Sequence, residues 1–202
     1  MENRDRMLGE GIARQELNLL FVIDNSGSME GEKLGAVNNA IRDVMSIMPE
    51  IQEDTSDATI KISALKFSDD AKWVYSEPKT VNEFKWSDIS SEGGTNLSSA
   101  YDELAKWLTK KEKGGQMPDI GGVAPIIILM TDGMPNGDPK ELERAITRVS
   151  EAVNNRKLTV FPIAIGAGGP GALFWMWIAA FFGMMTNFSE NLLGIYYRRK
   201  NA

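Results

Sequence analysis

The sequence predicts an α/β fold, with a Rossmann-like, mostly parallel sheet, helices on both faces and one antiparallel edge strand. Uninterrupted apolar runs, typical of strands buried on both faces, alternate along the chain with apolar residues spaced three to four apart, typical of amphipathic helices. The chain has 202 residues, 43% of them hydrophobic, which is enough for one domain with its own core. Strands that alternate with helices favour a parallel sheet.

The first half of the chain predicts a strand, a helix and a hairpin. Residues 17–23 form an apolar run that fits a buried strand. Residues 32–48 place their apolar side chains on one helical face, and we expect Pro49 to end this helix, because proline disfavours helical geometry in the residue before it. Residues 59–67 alternate as a strand does, and residues 71–75 are expected to return antiparallel to them after a polar turn.

The second half predicts two more helices and two more strands. The spacing of apolar residues marks a helix over 97–108, and the continuous apolar run over 125–130 fits a buried strand. A third helix is expected to begin after Asp138, because aspartate is a common N-cap and Pro139 suits the first turn. Residues 158–165 form the last predicted strand of the sheet.

The composition changes near residue 168. Residues 158–189 contain no charged side chain, and after the glycine-rich cluster at 166–171 the chain becomes strongly apolar and aromatic. We therefore predict a domain over residues 1–168 and a hydrophobic helical tail over residues 169–202. In this interpretation the C-terminal elements of the domain are truncated or replaced by the hydrophobic helix.

The charge and the missing residue types exclude several classes of function. A net charge of −6 argues against a nucleic-acid-binding protein, which usually presents a basic face. The chain has no cysteine and no histidine, which excludes disulfides, zinc sites built on those residues, cysteine nucleophiles and Ser-His-Asp triads. The remaining oxygen ligands suit hard cations such as Mg²⁺, Mn²⁺ or Ca²⁺.

Three polar loops are predicted at the carboxyl edge of the sheet, where open α/β sheets bind their ligands. They are Asp24-Asn25-Ser26-Gly27-Ser28, Gly93-Gly94-Thr95-Asn96 and Thr131-Asp132-Gly133. Alternate spacing can direct Asp24, Ser26 and Ser28 into one space, and Thr95 and Asp132 can complete a set of five oxygen donors. Each loop alone is also explained as a turn or a helix cap, but the combination favours a metal site with an open position for a partner's carboxylate.

Residues 16–166 closely resemble a von Willebrand factor type A domain of the bacterial intracellular kind called TerY-like or YegL-like. The resemblance rests on Asp24-x-Ser26-x-Ser28, on Thr95 in its Gly-Gly-Thr-Asn loop and on Asp132 in Leu-Met-Thr-Asp-Gly. It implies a metal-ion-dependent adhesion site in which Asp24, Ser26 and Ser28 hold Mg²⁺, with Mn²⁺ or Ca²⁺ as alternatives. Thr95 and Asp132 would bind the ion directly or through water, and an Asp or Glu of a partner protein would fill the remaining position. The resemblance further implies a protein-interaction module that is not an enzyme, with a place in bacterial stress responses.

Residues 169–198 resemble an internal segment of sodium:alanine symporters. The two resemblances adjoin almost without a linker, so one interpretation is a chimeric or misjoined chain. Another is a membrane-associated fragment without transport activity of its own, because transporter sites lie between several helices. A spanning helix needs about 20 apolar residues, so we expect membrane contact only through residues 171–197. The tail could instead pack on the sheet as a substitute terminal helix.

The expected location is cytoplasmic, because residues 1–15 lack an apolar signal-peptide core.

A phosphatase that uses Asp24 as its nucleophile is the enzyme alternative. Such an enzyme would need a second acid two residues further on as proton donor, and Ser26 occupies that position. The sequence therefore favours the interaction module over the phosphatase.

Overall fold

A computed structural model of the chain describes residues 15–55, 57–118, 123–132, 137–153 and 158–166. The predicted hydrophobic tail over 169–202 lies outside the described residues. In chain order the described elements are β1 (Gln15–Asp24), α1 (Glu32–Asp54), β2 (Ala58–Phe67), β3 (Ala71–Trp73), β4 (Lys79–Thr80), α2 (Leu97–Leu108), β5 (Ile126–Thr131), α3 (Pro139–Val153) and β6 (Thr159–Ala164).

The described strands form one mixed sheet in the order β3-β2-β1-β5-β6. β1 is central and pairs in parallel with both β2 and β5, so that Phe21 lies between Ala64 and Ile128. β6 continues the parallel part beyond β5, whereas β3 and the two-residue β4 both pair antiparallel with β2. The predicted α/β class with a mostly parallel sheet is confirmed. β4 is a second antiparallel piece that the sequence did not predict.

The central strand is buried on both faces, as its uninterrupted apolar sequence predicts. Leu20 and Val22 belong to one core cluster, and Phe21 and Ile23 belong to the other, because successive side chains of a strand point to opposite faces. The four side chains are at most 2% exposed. A strand with no solvated face therefore requires helices on both sides of the sheet.

The helices cover the two faces as predicted. On one face α1 packs Leu34, Val37 and Ile41 against the cluster that contains Phe21. On the other face α2 and α3 pack against each other and against the cluster that contains Leu20. The order in which strands are added to the sheet therefore reverses at β1. The chain first adds β2 and β3 on one side of β1, and after α2 it adds β5 and β6 on the other side of β1. Ligand sites of open α/β sheets lie at such a point, beyond the carboxyl ends of the two strands.

The prediction that Pro49 ends the first helix is wrong, because α1 continues to Asp54 with Pro49 inside it. Proline removes one helical hydrogen bond and crowds the preceding turn. Contacts with the start of β2 offset this cost: the Gln52 side chain donates to the carbonyl of Ala58 (2.9 Å) and accepts from the backbone N–H of Ile60 (2.7 Å). These bonds hold the last turn of the helix in place.

Candidate metal centre

Asp24 is the last residue of β1 and is fully buried. Its Oδ1 accepts a hydrogen bond from the backbone N–H of Ser26 (2.9 Å), and its Oδ2 accepts one from the hydroxyl of Thr131 at the end of β5 (2.5 Å). Burial raises the pKa of the Asp24 carboxyl above its usual value, and the nearby charge of Asp132 adds to this rise. The hydrogen bonds from Ser26 and Thr131 oppose the rise without cancelling it. The two central strands thus end in a buried, hydrogen-bonded carboxyl group.

A line of oxygen atoms connects the loop after β1 with the loop after β5. The hydroxyls of Ser26 and Ser28 are 3.1 Å apart, and the hydroxyl of Ser28 donates to Oδ1 of Asp132 (2.9 Å). Ser28 and Asp132 are 104 residues apart in the sequence. Ser26 is 1% exposed as a residue, and the side chain of Asp132 is 3% exposed. Four of the five predicted donors are therefore joined by direct hydrogen bonds.

Thr95, the fifth predicted donor, lies in the neighbouring loop and is buried. Backbone hydrogen bonds join that loop to the loop after β1: the N–H of Gly27 donates to Gly93 O (3.0 Å), and the N–H of Glu92 donates to Asn25 O (2.8 Å). The structure therefore brings the three predicted loops together, but it links Thr95 to the other donors through the backbone.

Local interactions shape the loop that carries Thr95. Gly93 has a φ of 60°, in the left-handed region that favours glycine, and Oδ1 of Asp69 accepts from the N–H of Gly94 (2.8 Å). The Asn96 side chain then accepts from the N–H of Ser99 (3.2 Å) as the N-cap of α2. The cap predicted for this segment is present, and it lies directly beside Thr95.

Lys33, in the first turn of α1, also reaches this edge of the sheet. Its Nζ forms an ion pair with Oδ2 of Asp132 and donates to the carbonyl of Ser28 (2.9 Å). Both oxygens of Asp132 are therefore in hydrogen bonds, one with a hydroxyl and one with an ammonium group. Sequence reasoning missed Lys33, although its position is a signal: a positive charge in the first turn of a helix is unfavourable, because the helix dipole is positive at that end.

Thr131 was also missed as a functional candidate. The sequence predicts it as part of the polar loop Thr131-Asp132-Gly133 without a role of its own, whereas in the structure its hydroxyl donates to Asp24, 107 residues earlier in the chain. The signal in the sequence was a polar residue at the end of an otherwise apolar strand.

The donor set fits a hard divalent cation. Successive hydrogen bonds link Asp24 to Ser26, Ser26 to Ser28 and Ser28 to Asp132. Asp24 is fully buried, and a cationic group contacts Asp132. Carboxylate and hydroxyl oxygens are the donors that Mg²⁺, Mn²⁺ and Ca²⁺ take. Within the described ranges no three Asp or Glu side chains form a metal-binding group, and the predicted set of two carboxylates and three hydroxyls does not require one.

Two families match different parts of the chain. The von Willebrand factor type A domain matches residues 19–135, and the sodium:alanine symporter family matches residues 142–202. The described residues of the second range include most of α3 and all of β6, which belong to the same sheet and core as the first. None of the described helices is long and apolar enough to cross a membrane. The chain thus joins segments similar to two different families, as the sequence suggested.

Relatives divide in the same way. Inter-alpha-trypsin inhibitor heavy chain H4 of Homo sapiens is 28% identical over 154 residues, which is 73% of this chain and 16% of that protein. The sodium/alanine symporter AgcS of Methanococcus maripaludis is 37% identical over 67 residues, which is 33% of this chain and 15% of that protein. The chain spans less than a fifth of the length of these curated relatives.

The PilB minor pilin of Streptococcus sanguinis has a similar fold, with a TM-score of 0.58 at 13% identity over 85% of this chain and 55% of that chain. At this identity the likeness concerns the fold alone. The family match over residues 19–135 covers more than half of the sequence and includes the loops that contain Asp24 and Asp132. The chain therefore belongs to the von Willebrand factor type A domain family.

Proposed function

We propose that this chain is a metal-ion-dependent protein-interaction module. A divalent cation, Mg²⁺ with Mn²⁺ or Ca²⁺ as alternatives, would be held by five side chains, namely Asp24, Ser26, Ser28, Thr95 and Asp132. The observation that supports this most directly is the 2.9 Å hydrogen bond between Ser28 and Asp132, which joins the loop after β1 to the loop after the neighbouring strand β5. Membership of the type A family supports the more general role of an interaction module.

The chain's own residues prepare the position for an ion and a partner. Asp24 is buried and oriented by Ser26 and Thr131, so its carboxyl group is kept in a fixed place. Ser28, in contrast, is exposed, so the outer side of the site is open to another molecule. A bound divalent cation would supply an electrophilic position for an outside carboxylate, and a partner's Asp or Glu is the ligand of matching charge.

The geometry disfavours the phosphatase alternative. A nucleophilic carboxylate must attack a bulky phosphate ester in line, and Asp24 is fully buried, whereas a bound cation needs room for a single ion. Ser26 occupies the position where a second acid would donate a proton. We therefore propose a binding role for Asp24.

The proposal is tested by the effect of Mg²⁺ on the melting temperature of the full chain. A ligand that binds only the folded state stabilises it by about 2.7 kcal/mol at a hundredfold excess over Kd, which corresponds to a shift of roughly 5–10 °C for a domain of this size. Asp132→Ala should abolish the shift, whereas the control Asp43→Ala, at an exposed position of α1, should retain it. A full shift in Asp132→Ala would refute the assigned site.

The partner's chemistry has its own test. Peptides that present Asp or Glu should bind the full chain in Mg²⁺ and be released by EDTA, and matched Asn or Gln peptides should not bind. Binding of both sets alike would refute a role for the partner's carboxylate.

A second candidate function is membrane association through residues 171–197, favoured by the symporter match over residues 142–202. The location proposed for the type A domain alone is cytoplasmic, and the boundary proposed between domain and tail lies at 168–169. Partition of the full chain into detergent, with a chain ending at residue 168 left in the aqueous phase, would support this candidate. Full recovery of both chains in the aqueous phase would refute it.

One unbroken DNA read across codons 160–180 would decide whether the junction between the domain and the tail is genuine.

A further inference from the structure

Lys33 lies where the helix itself disfavours a positive charge. It is the second residue of α1, and the N-terminus of a helix carries a partial positive charge. Contacts with groups outside the helix offset this unfavourable placement. The contacts in the structure are with Asp132 and with the carbonyl of Ser28, both in loops of the candidate metal centre.

The Lys33 side chain has a defined path to this position. Its aliphatic part passes over Gly166, just after β6, where a φ of 66° favours glycine and an added Cβ would lie 3.2 Å from Cε of Lys33. Its ammonium then pairs with a carboxylate that is 3% exposed, while the lysine side chain itself is 37% exposed. One end of this ion pair is therefore buried, and the other remains accessible from solvent.

The ion pair changes the charge of the site. Asp24 and Asp132 carry two negative charges when ionised, and among the described residues the ammonium that contacts this pair belongs to Lys33. A divalent cation that binds Asp132 must share its carboxylate with Lys33 or replace Lys33 there. Two cations at one small carboxylate repel each other strongly, because the interaction at a few ångströms is only partly screened.

We propose that Lys33 and a divalent ion compete for Asp132, so that a binding ion displaces the Lys33 ammonium from this carboxylate. This inference rests on the proposed function, since it concerns the same metal site. Lys33 weakens divalent-ion binding by competing for Asp132, and until an ion binds its charge balances part of the negative charge of the two carboxylates. Once displaced, its ammonium remains at the rim of the site, where it adds positive charge toward a partner's carboxylate.

We call the replacement of the Lys33 ammonium by a divalent ion at Asp132 the exchange. Isothermal titration of the full chain with MgCl₂ alone tests it. We expect Lys33→Met to bind Mg²⁺ about tenfold more tightly than the unaltered chain, a difference of about 1.4 kcal/mol. Lys33→Arg keeps the charge and should bind with affinity close to that of the unaltered chain. Lys66→Met is the matched control, because Lys66 pairs with Glu92 in the neighbouring loop and its loss changes the net charge equally. It should change the affinity less than twofold.

Each outcome decides the matter. Tighter binding by Lys33→Met, or binding by that variant alone, supports the exchange. Equal affinities in the unaltered chain and Lys33→Met overturn the exchange and leave the proposed metal site intact. No binding by any of the chains overturns both. An equal gain in Lys66→Met also overturns the exchange, because it would show a general effect of charge.

A stability measurement guards against a folding defect. Without metal, Lys33→Met should melt lower than the unaltered chain, because Asp132 loses its counter-ion, and saturating Mg²⁺ should remove most of that difference. Should Lys33→Met fail to fold, Lys33→Gln provides the same loss of charge with a polar end. A lower melting temperature that Mg²⁺ does not restore in either variant would contradict the exchange.

Discussion

Replacement of Gly93 by alanine should destabilise the loop that carries Thr95, for two reasons that can be measured separately. Gly93 has a φ of 60°, and a Cβ added there would lie 2.3 Å from Oδ2 and 2.7 Å from Cγ of Asp69. Asp69 must then move, and its hydrogen bond with the N–H of Gly94 (2.8 Å) is lost. The substitution therefore combines backbone strain with the loss of one charge-assisted hydrogen bond.

The expected magnitudes follow from these two terms. A left-handed conformation costs a residue with a Cβ about 1–2 kcal/mol, and a hydrogen bond of this exposed kind contributes about 1 kcal/mol. Gly93→Ala should therefore lower the free energy of unfolding by about 2–3 kcal/mol. Gly114 has a φ of 85° but open space around an added Cβ, so Gly114→Ala should cost only the backbone term, about 1–2 kcal/mol.

Urea unfolding of the full chain in EDTA, followed by circular dichroism, measures both losses. Asp69→Ala provides the remaining corner of a double-mutant cycle, because adding Gly93→Ala to it should cost only the backbone term. The coupling between the two positions should be about 1 kcal/mol. Equal losses in Gly93→Ala and Gly114→Ala, together with zero coupling to Asp69, would refute the contact as the cause.

Two further substitutions test the site and the fold. Thr131→Val removes the hydroxyl that donates to the buried Asp24 and should lower the free energy of unfolding by about 1.5–3 kcal/mol. The control Thr147→Val, at an exposed helical position, should lower it by less than about 0.5 kcal/mol. Equal losses in urea unfolding would contradict the assigned hydrogen bond. Pro49→Ala should raise the melting temperature, because it restores a helical hydrogen bond and relieves crowding, which together add about 1–3 kcal/mol to the free energy of unfolding. The control Ser46→Ala should add about 0.5 kcal/mol at most. A lower melting temperature in Pro49→Ala would contradict this expectation.

The local pattern of the sequence was sufficient to predict most of the fold. The buried central strand follows from its uninterrupted apolar run, and the helix faces follow from apolar residues three to four apart, since these periods are properties of the backbone. The polar residues after the strands predicted three loops at one edge, and the structure does bring those loops together. The ion-binding roles of Asp24, Ser26, Ser28, Thr95 and Asp132 stay a prediction.

Local patterns failed where a distant contact decides the outcome. Pro49 has poor helix propensity, but Gln52 bonds the start of β2 and keeps the last turn helical. Lys33 reads as an ordinary surface residue of an amphipathic helix until the fold brings Asp132 beside it. In both cases the deciding partner comes from another element, which the spacing of residues cannot reveal.

The sequence by itself therefore determined the class of fold, the residue types available for chemistry and the loops in which they lie. Only the tertiary structure decided which loops meet, because β5 pairs beside β1 after a long crossover and so places Asp132 against Ser28. It also decided that Asp24 is buried and accepts a hydrogen bond from Thr131, and that the ammonium group of Lys33 contacts Asp132. Strand order and burial arise from packing the whole chain around two faces of one sheet, and no local segment of the sequence contains that information.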